Sequence, residues 1–400
     1  MKISISQVTQ VLEENMVTLS CDVSNMKGKS EKLIYKITTS HNDFIAPNNA
    51  DWVLIGLIYP AMVKGLPLNI KAPISHDLLF FAQHDLQVLL LSINKNLKKI
   101  KITAEIIDSS AKLVKDVGTA TGFSAGIDTF ATLILNLKSN IPCKITDLTI
   151  FNVGAFGKEK SPSQREILNR NFTRLKKFSE SIDTNWFLVD TNLEDFYSNL
   201  HRSGFQKTAT LRNVSAALTL QSKIDNYLYS STFPYSAVSS VKTKSTYPNI
   251  DMGYIDPIIL PILSNNNMSF LSYGANYSRF EKVELVSKFK DAYEYLDVCT
   301  AKPIHRTQKI NCSSCKKCMK TMLTLEILGK LNKFSKVFDL KEYEKNRRGY
   351  IKSLGAEKLL GTNSINDLVK TLKKSSLYVR PSLLDYLKVL KSYIKQNTQI

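Results

Sequence analysis

The sequence predicts an α/β protein built around a mostly parallel, doubly wound sheet. A small N-terminal α/β domain, a zinc-binding segment and a helical C-terminal extension complete it. Three observations predict this. From about residue 117 onward, apolar strand-like runs alternate with helical stretches, the rhythm of repeated βα units. Cys299, Cys312, Cys315 and Cys318 lie close together in the chain. The stretch after residue 330 is rich in lysine and helix-forming residues, with little strand pattern.

The 400 residues exceed one core of usual size, and three domains are expected: 1–110, 111–330 and 331–400. A hydrophobic content of 43% excludes disorder. The net charge of +19 favours polyanionic partners such as nucleic acid or nucleotides, although the basic residues are scattered as on a solvated surface. The opening MKISISQVTQ has no apolar core, so no signal peptide is read there. The apolar run from Leu78 is interrupted by Gln83, His84 and Asp85 and suits a buried helix better than a membrane span. A cytoplasmic protein with no membrane partner is expected.

In the first domain, residues 16–21 and 32–38 read as strands, and helices follow Asn48 and cover about 75–92. Residues 99–106, KIKITAEI, alternate polar and apolar as a half-buried strand does. His76, Asp77 and His84 share helical spacing and read as surface or packing residues rather than metal ligands. In the second domain, strands are expected at 117–123, 148–153, 186–189, 228–232 and 269–273, with helices at 128–137 and 212–220. SPSQ at 161–164 and SRFE at 278–281 are capping boxes, opening helices to about 178 and 289. In the extension, Leu383, Leu384, Leu387, Leu390 and Ile394 form one apolar helix face after Pro381, and Lys345, Arg347 and Arg348 form a basic cluster. Such a face packs against the protein's own body or a partner.

Two motifs carry chemistry. GFSAGIDTF at 122–130 places small residues, two hydroxyls and a carboxylate between a strand and a helix. Free amides and the helix dipole at such a turn attract phosphate, and small residues allow close approach. An ordinary strand-to-helix turn with a Ser or Asp cap is the competing reading, and the Gly-Lys-Ser/Thr ending of a Walker A loop is absent. The four cysteines fit a closed tetrahedral Zn²⁺ site of structural type. Free thiols or an Fe–S cluster are the alternatives, and His305 could stand in for Cys299.

Ser124, Gly126, Asp128 and Thr129 resemble the Ser-Gly-Gly-x-Asp-Ser signature of the PP-loop ATP pyrophosphatases, with Ala125 where that family usually has glycine. Together with the later Cys-x12-Cys-x2-Cys-x2-Cys, the arrangement resembles the 7-cyano-7-deazaguanine synthases of that superfamily. Arg212-Asn213 resembles their Arg-Asn pair, and Ser278-Arg279-Phe280-Glu281 their Thr-Lys-x-Glu helix start. The resemblance covers about residues 115–325 and neither end. It implies an adenine nucleotide alpha hydrolase-like sheet that binds ATP and Mg²⁺ and adenylates a carboxylate. Ammonia or another nucleophile then displaces AMP.

The resemblance assigns Ser124, Ala125, Gly126, Ile127, Asp128, Thr129, Arg212 and Asn213 to the nucleotide, with Ser124, Asp128 and Arg212 in catalytic roles. Asp128 would cap the loop and help hold Mg²⁺, and Arg212 would neutralise phosphate charge. A surface arginine is the plainer reading of Arg212. The expected partners are a small carboxylate such as a deazapurine acid, a macromolecular acceptor, nucleic acid and a second copy of the chain. Two other functions remain open: modification of a macromolecule, or a zinc-bearing nucleic-acid-binding protein without catalysis.

Overall fold

The computed structural model describes residues 1–26, 28, 30–107, 117–141, 143–155, 162–197, 204–240, 251–299, 309–359 and 366–398. Among these residues the protein is α/β, with one sheet of eleven strands. These are β1 (Ile3–Ile5), β2 (Thr9–Glu13), β3 (Met16–Ser24), β4 (Glu31–Thr39), β5 (Leu68–Ser75) and β6 (Ile102–Ile107). The remaining five are β7 (Gly118–Gly122), β8 (Ile145–Asn152), β9 (Asn185–Thr191), β10 (Ile224–Ser230) and β11 (Ser269–Tyr273).

The strands run in the order β11-β10-β7-β8-β9-β4-β3-β1-β5-β6, with β2 beside β3. Every neighbour pair from β11 to β9 is parallel, as are β1–β5 and β5–β6. Antiparallel β4 and β3 join the two parallel blocks. The sequence patterns follow from this placement. In β8, Asp147, Leu148, Thr149 and Ile150 are all buried, as expected of a parallel strand covered on both faces. In β4, Leu33, Tyr35 and Ile37 are buried while Lys36 is exposed, so this strand has a wet face.

The chain forms two compact units, Met1–Ser124 with Leu135–Asn276, and Ala125–Ile134 with Tyr277–Ile400. The boundary expected near residue 110 does not divide the sheet, because β4 pairs with β9 from Tyr35↔Thr191 to Thr39↔Phe187. Helix Asp51–Lys64 is buried through twelve successive residues, which explains its even hydrophobicity. Gly56 lets that helix approach closely: a Cβ there would lie 2.8 Å from Ser215 Oγ and 3.2 Å from Tyr35 OH. Asp51, fully buried, accepts hydrogen bonds from Ser75, Gln221 and Asn265 and so ties the N-terminal segment to later parts of the first unit. The expected helix at 75–92 is interrupted by a π turn at Ala82–Leu86, and no histidine there joins a metal-binding group among the described residues.

In the second unit the capping box at Ser278 is formed: Glu281 N donates to Ser278 Oγ, and Ser278 N to Glu281 Oε2. Its helix, Arg279–Val286, ends three residues earlier than the pattern suggested. The other expected box lies partly at Ser161, outside the described residues. Helices Lys316–Ile327, Leu340–Leu359, Asn366–Leu372 and Leu383–Thr398 follow. The last helix is held through Asp385, 3.9 Å from Lys352, while Leu383, Leu384, Leu387 and Leu390 are exposed. The apolar face thus points outward rather than into the unit. Arg347, from the basic cluster, pairs with Glu326. Among the described residues no helix is long and apolar enough to cross a membrane.

Candidate metal centre and phosphate turn

Cys299, Cys312, Cys315 and Cys318 converge, their sulfurs all lying within 4.8 Å of one another. A tetrahedral zinc with Zn–S near 2.3 Å needs S···S edges of about 3.8 Å. Cys312–Cys318 at 3.9 Å and Cys315–Cys318 at 3.4 Å bracket that value, so the set fits such an ion. Cys312 and Cys318 are buried. Contact with the Cys299 and Cys315 side chains, then burial, pushes the Cys318 thiol far up, as expected of thiols crowded without a counter-charge. A cation bound there would supply that charge and hold the four sulfurs as thiolates.

Local backbone builds the cage. Cys315 N donates to Cys312 Sγ at 3.3 Å and Cys312 N to Cys299 Sγ at 3.5 Å, bonds that favour thiolate. Ser313 adopts φ 59°, bending the chain between the first two ligands of the Cys-x2-Cys-x2-Cys run. Asn311, fully buried, accepts from Val298 N at 2.9 Å and donates to Leu296 O at 2.8 Å and Val337 O at 3.1 Å. It fastens the strand of chain bearing Cys299 to the one bearing Cys312. His305 lies outside the described residues.

The turn at 124–129 follows the end of β7. Within the parallel block β7 comes first in the chain, β8 and β9 are added on one side, and β10 and β11 on the other. The direction of addition therefore reverses between β7 and β10. In open α/β sheets ligands bind beyond the carboxyl ends of the strands at such a reversal.

Helix Ile127–Lys138 starts within the turn, and Phe130 N donates to Gly126 O at 3.0 Å. Ala125 sits in the left-handed region at φ 56°, the conformation for which glycine is the relaxed residue. Its carbonyl accepts from Asp297 N at 2.8 Å. Thr129 Oγ1 donates to Gly126 O at 3.1 Å, so its proton serves the turn itself.

Asp128 is surrounded by cations. Arg279 Nη1 lies 2.5 Å from Oδ2, and Lys282 Nζ 3.5 Å from Oδ1. Lys282 is only 2% exposed, and burial lowers its pKa against the pull of Asp128. Lys320 is pushed down to about 8, chiefly by burial and then by Arg279, with Asp128 opposing. Oδ2 is thus paired with Arg279, while Oδ1, buried, has Lys282 Nζ at 3.5 Å and no hydrogen-bond partner among the described residues. Arg279 and Lys282 thus gather on Asp128, and Lys320 feels Asp128, Glu357 and Asp367 as well as Arg279.

Arg212 is neither on the surface nor free. It is 1% exposed, pairs with Glu194, donates from Nε to Thr208 Oγ1 at 2.9 Å and from Nη1 to Val153 O at 3.3 Å. Its guanidinium lies 3.9 Å from the centroid of the Tyr197 ring. Gly154, at φ 104°, leaves room for this arrangement, since a Cβ there would meet Glu194 and Arg212. Asn213 Nδ2 donates to Tyr229 OH at 2.9 Å. The pair assigned to the nucleotide is thus occupied by neighbours within the first unit.

Sequence reasoning did not single out Lys282 or Asp297. Lys282 follows directly on the recognised SRFE box, and Asp297 stands two residues before the first cysteine; proximity to a motif was the available signal. Compared with protein-family models, curated proteins and solved structures, the chain matches none of them.

Proposed function

We propose that the chain is an ATP-dependent adenylating enzyme of the PP-loop kind, related to the 7-cyano-7-deazaguanine synthases, with a structural zinc. The observation that carries this reading is the place of the 124–129 turn: it leaves the first strand of the parallel block at the reversal of strand order. The left-handed backbone at Ala125, where the resembling signature has glycine, and the cations gathered at Asp128 support it.

In this reading ATP supplies an activated α-phosphate, and a substrate carboxylate captures it to give an acyl-adenylate and pyrophosphate. The amides of the turn bind the departing phosphates, and Arg279, with Lys282, neutralises their growing charge. Ser124 adds a hydroxyl donor. Asp128 holds Arg279 and Lys282 in place and yields them to the phosphates when nucleotide enters. Arg212 belongs to the packing of the first unit rather than to phosphate binding.

The test is incubation of zinc-loaded protein with ATP, Mg²⁺ and a panel of carboxylates including 7-carboxy-7-deazaguanine, followed by mass analysis. AMP and pyrophosphate released only with a cognate carboxylate support the reading; their absence across the panel and across macromolecular acceptors rejects it. The exposed leucine face of helix Leu383–Thr398 favours a second form, in which the activated group passes to a macromolecule docked there. A non-catalytic nucleic-acid binder would instead show affinity that falls steeply with salt and no nucleotide turnover.

A further inference from the structure

The metal centre and the phosphate turn are joined by a short covalent and hydrogen-bonded path inside the second unit. Cys299 N donates to Asp297 Oδ1 at 3.0 Å, and Asp297 N donates to Ala125 O at 2.8 Å. Asn311 fixes both sides of this path, holding Leu296 and Val298 on either side of Asp297 while standing next to Cys312. Ala125 lies at the far end in a left-handed conformation, which an alanine keeps only when its surroundings impose it. A sulfur fixed in a tetrahedron would add a restraint at Cys299, and the side chain of Asp297, accepting from Cys299 N, would pass it to the backbone bonded to Ala125.

We propose that Asp297 is a positioning residue that makes the order of the phosphate turn depend on metal at the four cysteines. This rests on the zinc and nucleotide readings above. Linkage requires the reciprocal effect: nucleotide bound at the turn tightens the metal by the same factor. The design of the path allows a clean substitution. Asp297→Ala removes the side-chain acceptor for Cys299 N and leaves the backbone bond to Ala125 O available, whereas Asp297→Asn retains an acceptor oxygen.

The measurement is hydrogen exchange at the Phe130 amide, which is bonded to Gly126 O and reports closure of the turn, with amides of helix Leu340–Leu359 as control. The protein is full length and loaded with zinc, its content checked by protection of the cysteines from a thiol reagent. The expected result is about tenfold faster exchange at Phe130 in Asp297→Ala than in wild type, within the span of ordinary coupling energies. The control helix and zinc content should be unchanged, with Asp297→Asn behaving as wild type.

In wild type, stripping zinc should raise exchange at Phe130 at least as much. Equal exchange in Asp297→Ala and wild type, or exchange in wild type that is the same with and without zinc, overturns the proposal. ATP titration of the same samples separates the two readings. A wild-type protein that binds no nucleotide defeats the functional reading while the exchange result still decides the role of Asp297.

Discussion

Two charged regions, each within its own unit, are built on opposite rules. Around Arg212 the charges close on themselves: the guanidinium meets Glu194, Thr208, the Val153 carbonyl and the Tyr197 face. In the same neighbourhood Asp256 accepts from Thr210 Oγ1 at 2.6 Å, and burial raises its pKa to about 7. Charge there is cancelled by pairing or by a proton. Around Asp128 one carboxylate gathers Arg279 and Lys282, and Lys320 feels Asp128, Glu357 and Asp367 as well as Arg279. The first arrangement pairs its charges inside the unit, and the second leaves Asp128 Oδ1 buried without a hydrogen-bond partner among the described residues.

The largest effect that can sharpen this contrast comes from the metal. Adding a strong chelator to zinc-loaded protein should cost the second unit on the order of 10 kcal/mol of stability. Hydrogen exchange should then rise across 309–359 while strands β3 and β4 stay protected. Equal loss in both regions would mean that the cysteines support the whole chain.

Asp256 comes next. Its folded pKa stands above its unfolded value, so its stabilising contribution is complete below about pH 4 and is lost as pH rises through about 7. Asp256→Asn should therefore raise stability relative to wild type as pH goes from 4 to 8, by at most about 4 kcal/mol, read from urea midpoints at each pH. A difference independent of pH would show that Asp256 is not held neutral.

Arg212→Met should cost about 3 kcal/mol, because it leaves Glu194 without its partner, and Arg212→Met with Glu194→Gln should recover more than half of that. ATP affinity of the folded fraction should not change. A selective loss of nucleotide affinity at unchanged stability would instead return Arg212 to the phosphates and erase the distinction drawn above.

Arg279→Gln makes the opposite prediction: about tenfold weaker ATP binding, roughly 1.4 kcal/mol, with little change in the urea midpoint. The smallest effect belongs to Ala125→Gly. Relief of the left-handed alanine is offset by the greater freedom of glycine in the unfolded chain, leaving a gain below about 1 kcal/mol in thermal unfolding.

What was legible in the sequence was local. The cysteine cage needs ligands at short spacing, and the Ser278–Glu281 box is written in four residues. The parallel block was visible as alternating strands and helices. Other features depended on distant meetings that no window of sequence contains. Phe187 to Thr191 gave no sign that they would pair with Tyr35 to Thr39, so the first 110 residues read as a separate domain. Arginine at 212 looked like a surface residue because its burial depends on Glu194, Tyr197 and Val153 arriving together. The cations at Asp128 come from residues about 150 positions later in the chain. The leucine stripe of the last helix was read correctly as amphipathic, but pattern alone could not say which way it would face.

The β4–β9 seam has a practical consequence for anyone cutting the gene. A version beginning after residue 110 would strip β9 of its neighbour and leave a raw row of amides and carbonyls along a twisted, apolar ribbon. Such a truncation invites fibre-like stacking rather than a smaller working protein. The opening part of the chain is therefore a lateral shield for the parallel strands from β9 to β11 and cannot be trimmed away as an appendage.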